Sequence, residues 1–126
     1  MGGLVGWFNG AVTSSGQNNG AGGIIKLNEQ CSYKWILNCG QGKNTRAELL
    51  GACALLTLAS RLSILTIHVH GDSKATIDWL RGKGRLQVVT LDYWKHRLRG
   101  LIDIFHSISF SHVYREDNEV ADNLSK

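Results

Sequence analysis

The sequence predicts an α/β (mixed α+β) fold: one five-stranded mixed sheet, a three-stranded antiparallel meander plus parallel strands, flanked by helices. Three observations carry this. Residues 4–39 read as three strands in succession, separated by turn-rich segments. From Ala47 the apolar period changes from strand-like to helical. Residues 64–70, ILTIHVH, are β-branched and nearly all apolar, which suits a parallel strand buried on both faces.

Taken in order, residues 4–12 alternate apolar and small and suit the first strand. TSSGQNNG (13–20) is a loop, and AGGIIKLN (21–28) and CSYKWILNC (31–39) are strands joined by a turn at Asn28-Glu29-Gln30. After a loop at 40–44, a helix runs from Ala47 to Leu62 with Ala47, Leu50, Ala54, Leu55, Leu58 and Leu62 on its apolar side. Thr45 followed by Glu48 has the spacing of a capping box, which would start that helix. Asp72 or Ser73 caps a short helix that ends near Leu80, and Gly82-Lys83-Gly84-Arg85 is a basic loop. A helix over 90–104 turns Leu91, Trp94, Leu98, Leu101 and Ile102 to one side. SISFSHV (107–113) is the last strand, and a final helix begins at Asp117 and is cut at Lys126.

The 126 residues fit one domain, 1–126, in which Met1 to Gly3 read as an appended linker. With 43% hydrophobic and 19% charged residues, a packed core is expected rather than disorder. No apolar run approaches the ~20 residues needed to cross a bilayer, and the N-terminus lacks a secretory pattern. A net charge of +4 favours a polyanionic partner. Cys31, Cys39 and Cys53 form no CxxC and read as reduced residues of an intracellular protein, cytoplasmic or nuclear.

Four elements can bring a polar group to one region: Asn9 on the first strand, Glu48 in the first turn of the first helix, Asp72 directly after the fourth strand and Asp122 in the last helix. Each also has an ordinary role: a satisfied strand amide, a capping partner, an N-cap or an exposed helix residue. The segments WFNGA, NTRAELLGACALL, HVHGDSKATIDWL and HVYREDNEVADNLSK, in that order and across nearly the whole chain, resemble the ribonuclease H domain. The resemblance is nearest to its plant retrotransposon, reverse-transcriptase-associated branch. It implies the ribonuclease H-like fold and endonucleolytic hydrolysis of the RNA strand of RNA–DNA hybrids. It also implies two divalent cations, Mg²⁺ or Mn²⁺, on four carboxylates. Carried over, those carboxylate positions fall on Asn9, Glu48, Asp72 and Asp122, so three of the four are intact.

An aspartate at the first position could bridge two cations. Asn9 offers one neutral carbonyl oxygen and an NH₂ that presents a positive dipole, so strongly reduced cleavage is expected. Three origins of Asn9 stay open at this point: a deliberate Asp→Asn change, decay in a retroelement copy, or a natural binding-only domain. The cut last helix would also fix Asp122 poorly. His112 matches an auxiliary histidine of related enzymes, and Arg115 is an alternative phosphate or leaving-group contact.

Backbone and 2′-OH groups, not bases, identify a hybrid. Ser14, Ser15 and Asn18 after the first strand, and Asn44, Thr45 and Arg46 at the helix start, are small polar or basic residues suited to that task. Lys74, Lys83, Arg85, Lys95, Arg97 and Arg99 form a wider basic set, Trp94 reads as core, and Trp79 is open between core and interface. The short GKGRLQVV between the middle helices implies modest affinity unless the rest of a retroelement polyprotein contributes. A monomer without membrane contact is expected. The competing readings are a non-catalytic nucleic-acid-binding or interaction domain that kept the fold, and a resolvase- or integrase-like nuclease.

Overall fold

The computed structural model describes residues 4–11, 19–28, 30–40, 44–84 and 92–113. Strands β1 (Leu4–Ala11), β2 (Asn19–Lys26) and β3 (Ser32–Gly40) precede helix α1 (Asn44–Arg61). Strand β4 (Thr66–Gly71), helices α2 (Lys74–Leu80) and α3 (Asp92–Ile104) and strand β5 (Ser107–His112) follow. The sheet order is β3-β2-β1-β4-β5. The first three strands pair antiparallel, while β4 lies parallel to both β1 and β5. The expected mixed five-stranded sheet is therefore present. The described residues contain no helix long and apolar enough to cross a membrane.

The β2–β3 turn forms where expected: Asn28 Oδ1 accepts the Gln30 N–H at 2.8 Å, and the Leu27 N–H bonds Cys31 O. Strand pleating then sorts the side chains. Phe8, Ile25, Ile67, Val69 and Phe110 face a core completed by α1, by Ile77 and Leu80 of α2 and by Leu98 of α3. Trp35 packs over Gly23, where an added Cβ would lie 2.3 Å from the indole ring, so a glycine is required there.

Two sequence expectations change here. Strand β4 is not buried on both faces: from Thr66 to Gly71 burial alternates, with Ile67, Val69 and Gly71 inside and Thr66 exposed. The alternation T-I-H-V-H is a half-buried pattern, and the two histidines mark its second face. The proposed cap of α1 also fails. Thr45 lies inside the helix, which already includes Asn44, and the Glu48 carboxylate bonds to β1. Beyond these, Leu49, Ala52, Leu56 and Ala59 are buried more deeply than Ala54, Leu58 and Leu62 of the predicted stripe, because α1 lies between the sheet and α3.

Between the two proposed caps of α2, Ser73 takes the role, its Oγ accepting the Thr76 N–H at 3.4 Å. After α1 the chain reverses through Ser63, which adopts φ 60°, a left-handed conformation that glycine adopts without strain. Ser63→Gly is expected to stabilise the fold by roughly 0.5–1 kcal/mol. A urea midpoint that stays put or falls would contradict this.

Candidate active site at the carboxyl ends of the parallel strands

Strands β1, β4 and β5 run parallel, so their carboxyl ends lie at one edge of the sheet, where ligands of open α/β sheets commonly bind. Gly71 is in register with Phe8 on one side and His112 on the other. Asn9 and Asp72 each come one residue past that row. His112 Nε2 lies 3.2 Å from the Asp72 carbonyl oxygen, which fixes the imidazole at the same edge.

The first turn of α1 brings the third group. The Gly10 N–H donates to Glu48 Oε1 at 2.9 Å in a buried bond. This contact depends on a missing side chain. A Cβ at Gly10 would stand 2.6 Å from the Glu48 nitrogen and 2.7 Å from the Ala47 carbonyl carbon. The helix start can approach the strand this closely only because residue 10 is glycine. Glu48 is 2% exposed and Asn9 0%. Asn9 Oδ1, Glu48 Oε2 and Asp72 Oδ2 are all shielded from solvent.

The structure thus carries Asn9, Glu48, Asp72 and His112 to neighbouring element ends. Their donors, apart from the imidazole, are oxygens, which suits a hard divalent cation such as Mg²⁺ or Mn²⁺. Among the described residues the charge is low for two ions: two carboxylates and one neutral amide. Among the described residues no group of three His, Cys, Asp or Glu side chains is placed to hold a metal. Position 9 contributes an amide rather than a carboxylate to this set.

Of the other sequence candidates, Asn44 begins α1 and Thr45 and Arg46 follow in its first turn. The Arg46 guanidinium bonds the Cys39 carbonyl oxygen at the end of β3. Lys74 pairs with Asp78 one turn on at 3.0 Å, so on this side of α2 its charge is partly balanced. Trp79 resolves as core: it is buried, with the Arg99 guanidinium 4.1 Å from its ring centroid and bonded to the Trp79 and Leu80 carbonyls. Lys95 lies over the same ring at 5.9 Å. Trp94 is half-buried against the core, as its helical stripe predicts. Lys83 and Arg97 are both exposed. Ser14, Ser15, Asn18, Arg85, Arg115 and Asp122 lie outside the described residues.

Sequence reasoning missed two features. One is Gly10, whose signal was a glycine directly after the candidate site residue. The other is a histidine–serine layer on the opposite sheet face. His68 bonds Ser109 through Nδ1 and Ser111 through Nε2 (2.7 Å), and meets His70 edge-on at 4.6 Å. His70 in turn stacks on Trp7 at 5.4 Å. Burial, and then the charge of His68, push the His70 imidazole below its ordinary value of 6.5. The unfolded chain therefore takes up this proton more readily than the folded one. The contribution is complete above about pH 6.5 and is lost as the pH falls through the folded value. His70→Gln is expected to flatten the acid side of a plot of urea midpoint against pH. An unchanged slope below about pH 6.5 would contradict that assignment.

Comparison with known proteins agrees with this architecture. The family model described as reverse transcriptase-like matches residues 7–126. No curated protein sequence matches the chain. The ribonuclease H1 of the halophilic archaeon Halobacterium salinarum is similar in structure, with TM-score 0.89 and 26% identity over 98% of this chain and 95% of that one. So is the N-terminal ribonuclease H domain of a Mycobacterium tuberculosis protein, with TM-score 0.90 and 22% identity over 97% of this chain and 95% of that one. LC11-RNase H1, solved in complex with an RNA/DNA hybrid, aligns with TM-score 0.86 and 17% identity over 96% of this chain and 92% of its own. With the family matched along nearly its whole length, and the fold shared with ribonucleases H, the chain belongs to the reverse transcriptase-like family and is an RNase H domain of that branch.

Proposed function

We propose that this domain is built to hydrolyse the RNA strand of RNA–DNA hybrids endonucleolytically, and that Asn9 leaves this chain with little or no cleavage. One observation carries the reading. Within an RNase H fold, Glu48, Asp72 and position 9 lie at one sheet edge, and position 9 holds an amide. The hybrid bound to LC11-RNase H1, on the same fold, supports the substrate class.

Glu48 would act through the oxygen that Gly10 does not engage. The Gly10 N–H fixes Oε1 and so sets the direction of Oε2. Asp72 would hold the second position, at the point where β4 gives way to the α2 cap. Together with Asp122 these side chains would hold two Mg²⁺ or Mn²⁺ ions. Ions held there would supply Lewis acidity for an attacking water and positive charge for the leaving oxygen. The protein's part is to hold the anionic cluster rigid and shielded, which burial of Glu48 and Asn9 accomplishes. His112 and Arg115 are auxiliaries, suited to a phosphate as it leaves. Asn44, Thr45 and Arg46 at the α1 start would meet the RNA backbone, joined by Ser14, Ser15 and Lys74. The domain would work as a monomeric part of a retroelement polyprotein, in the cytoplasm or nucleus.

The neutral amide at position 9 also favours a second reading, a domain that binds hybrid without cutting it. Both are tested by incubating end-labelled RNA–DNA hybrid, duplex DNA and single-stranded RNA with this chain and with Asn9→Asp, in Mg²⁺ and in Mn²⁺. The leading reading requires that Asn9→Asp cut RNA in the hybrid alone. If neither protein cuts and both bind hybrid, the binding-only reading replaces it.

A further inference from the structure

Apart from the strand ends, the fold carries a groove between β3, α1 and α3, about 590 Å³ in volume. Its rim carries three guanidinium groups, Arg46, Arg61 and Arg97, and among the described residues no carboxylate lines it. Neither Arg61 nor Arg97 forms an ion pair among the described residues, and both are exposed. The floor is apolar, built from Leu50, Ala54 and the half-buried Trp94.

The groove has a direction. Arg46 stands two residues before Glu48, and its guanidinium is tied to β3 through the Cys39 carbonyl. Arg61 is the last residue of the same helix, which at 1.5 Å per residue is ~22 Å further on. The cationic rim therefore begins near the start of α1, which also carries Glu48, and leads away along the helix. Cations that track a backbone, with an aromatic side chain among them, are the recurring means of holding single-stranded nucleic acid. A paired base in a duplex is stacked on both faces, whereas an unpaired one can lie on an indole.

We propose that this groove is a second nucleic-acid site, which takes the single-stranded stretch flanking a hybrid, with phosphates at Arg46, Arg61 and Arg97 and a base against Trp94. It rests on the hybrid reading only for what lies next to the single strand. The groove's own affinity is measurable without any hybrid and without metal.

The test is anisotropy of a labelled single-stranded oligonucleotide titrated with the full chain in EDTA over a range of salt concentrations. Binding is expected, with affinity that falls linearly in log–log form. Arg61→Ala/Arg97→Ala should make the slope shallower by roughly 1.4, ~0.7 for each lost phosphate contact. Trp94→Phe should weaken binding and leave the slope as it was. A hybrid with a single-stranded tail should bind roughly tenfold tighter than a blunt one, a difference that the double variant abolishes. The inference is overturned if the double variant keeps the parent slope, or if a polyglutamate peptide binds the chain while the oligonucleotide does not. Blunt hybrid that binds with no gain from the tail defeats the groove alone. Failure of blunt hybrid as well defeats both readings.

Discussion

Asn9→Asp is expected to raise RNA cleavage in Mg²⁺ by at least about a hundredfold, equivalent to ~2.7 kcal/mol of barrier. The substitution keeps the size and shape of the side chain and changes its charge. At a position with no solvent exposure, a new carboxylate beside Glu48 and Asp72 is costly unless a cation accompanies it. The same variant should therefore be less stable than this chain in EDTA, by about 1–3 kcal/mol, and should recover on addition of Mg²⁺. Thermal melts in EDTA and in Mg²⁺ check this. A variant whose melting point ignores the ion would show that position 9 does not belong to a cation site, whatever its effect on rate.

Gly10→Ala has the second largest expected effect, and it acts through backbone geometry. The added Cβ would meet the Glu48 nitrogen at 2.6 Å and the Ala47 carbonyl carbon at 2.7 Å. These are main-chain atoms and cannot rotate away, so the start of α1 must retreat from β1. That costs roughly 1–3 kcal/mol and breaks the Gly10–Glu48 hydrogen bond. In the Asn9→Asp background, cleavage and Mn²⁺ affinity should each fall at least about tenfold. Gly100→Ala supplies the comparison, because nothing lies within 4 Å of a Cβ there and the residue is exposed in α3. It should stabilise the protein by ~0.5–1 kcal/mol and leave cleavage unchanged. Equal behaviour of the two variants would mean that the close approach at Gly10 plays no part in orienting Glu48.

The element order was legible because periodicity reports burial. Residues 4–39 and 107–113 alternate as strands, and 47–62 and 90–104 repeat as helices, and the structure places elements in each span. The capping box misled because sequence spacing cannot distinguish a glutamate that folds back on its own helix from one that crosses to a strand. Glu48 crosses, and only the register of Gly10 against α1 shows it. The two-sided burial expected of ILTIHVH failed for a related reason. The run is mostly apolar, but a histidine stands at every second place near its end, and one of them, His68, bonds the serines of β5. The candidate site was legible mostly by resemblance. Position 9, Glu48 and Asp72 are 39 and 24 residues apart in the chain, and only parallel pairing of β1 with β4 brings their elements to one edge. The cationic groove was not legible, since Arg97 joins Arg46 and Arg61 along one groove only after α3 packs on α1.

The central claim is that positions 9, 48 and 72 form one cation site that lacks a charge in this chain. Calorimetric titration with Mn²⁺ tests it most directly, in four proteins: this chain, Asn9→Asp, Asp72→Asn and the double variant. Asn9→Asp should bind the ion at least about tenfold more tightly than this chain, and that gain should vanish when Asp72→Asn is added, because neighbouring ligands of one ion are not additive. If the gain persists undiminished in the double variant, the two residues do not share an ion, and the site proposed here is not one site.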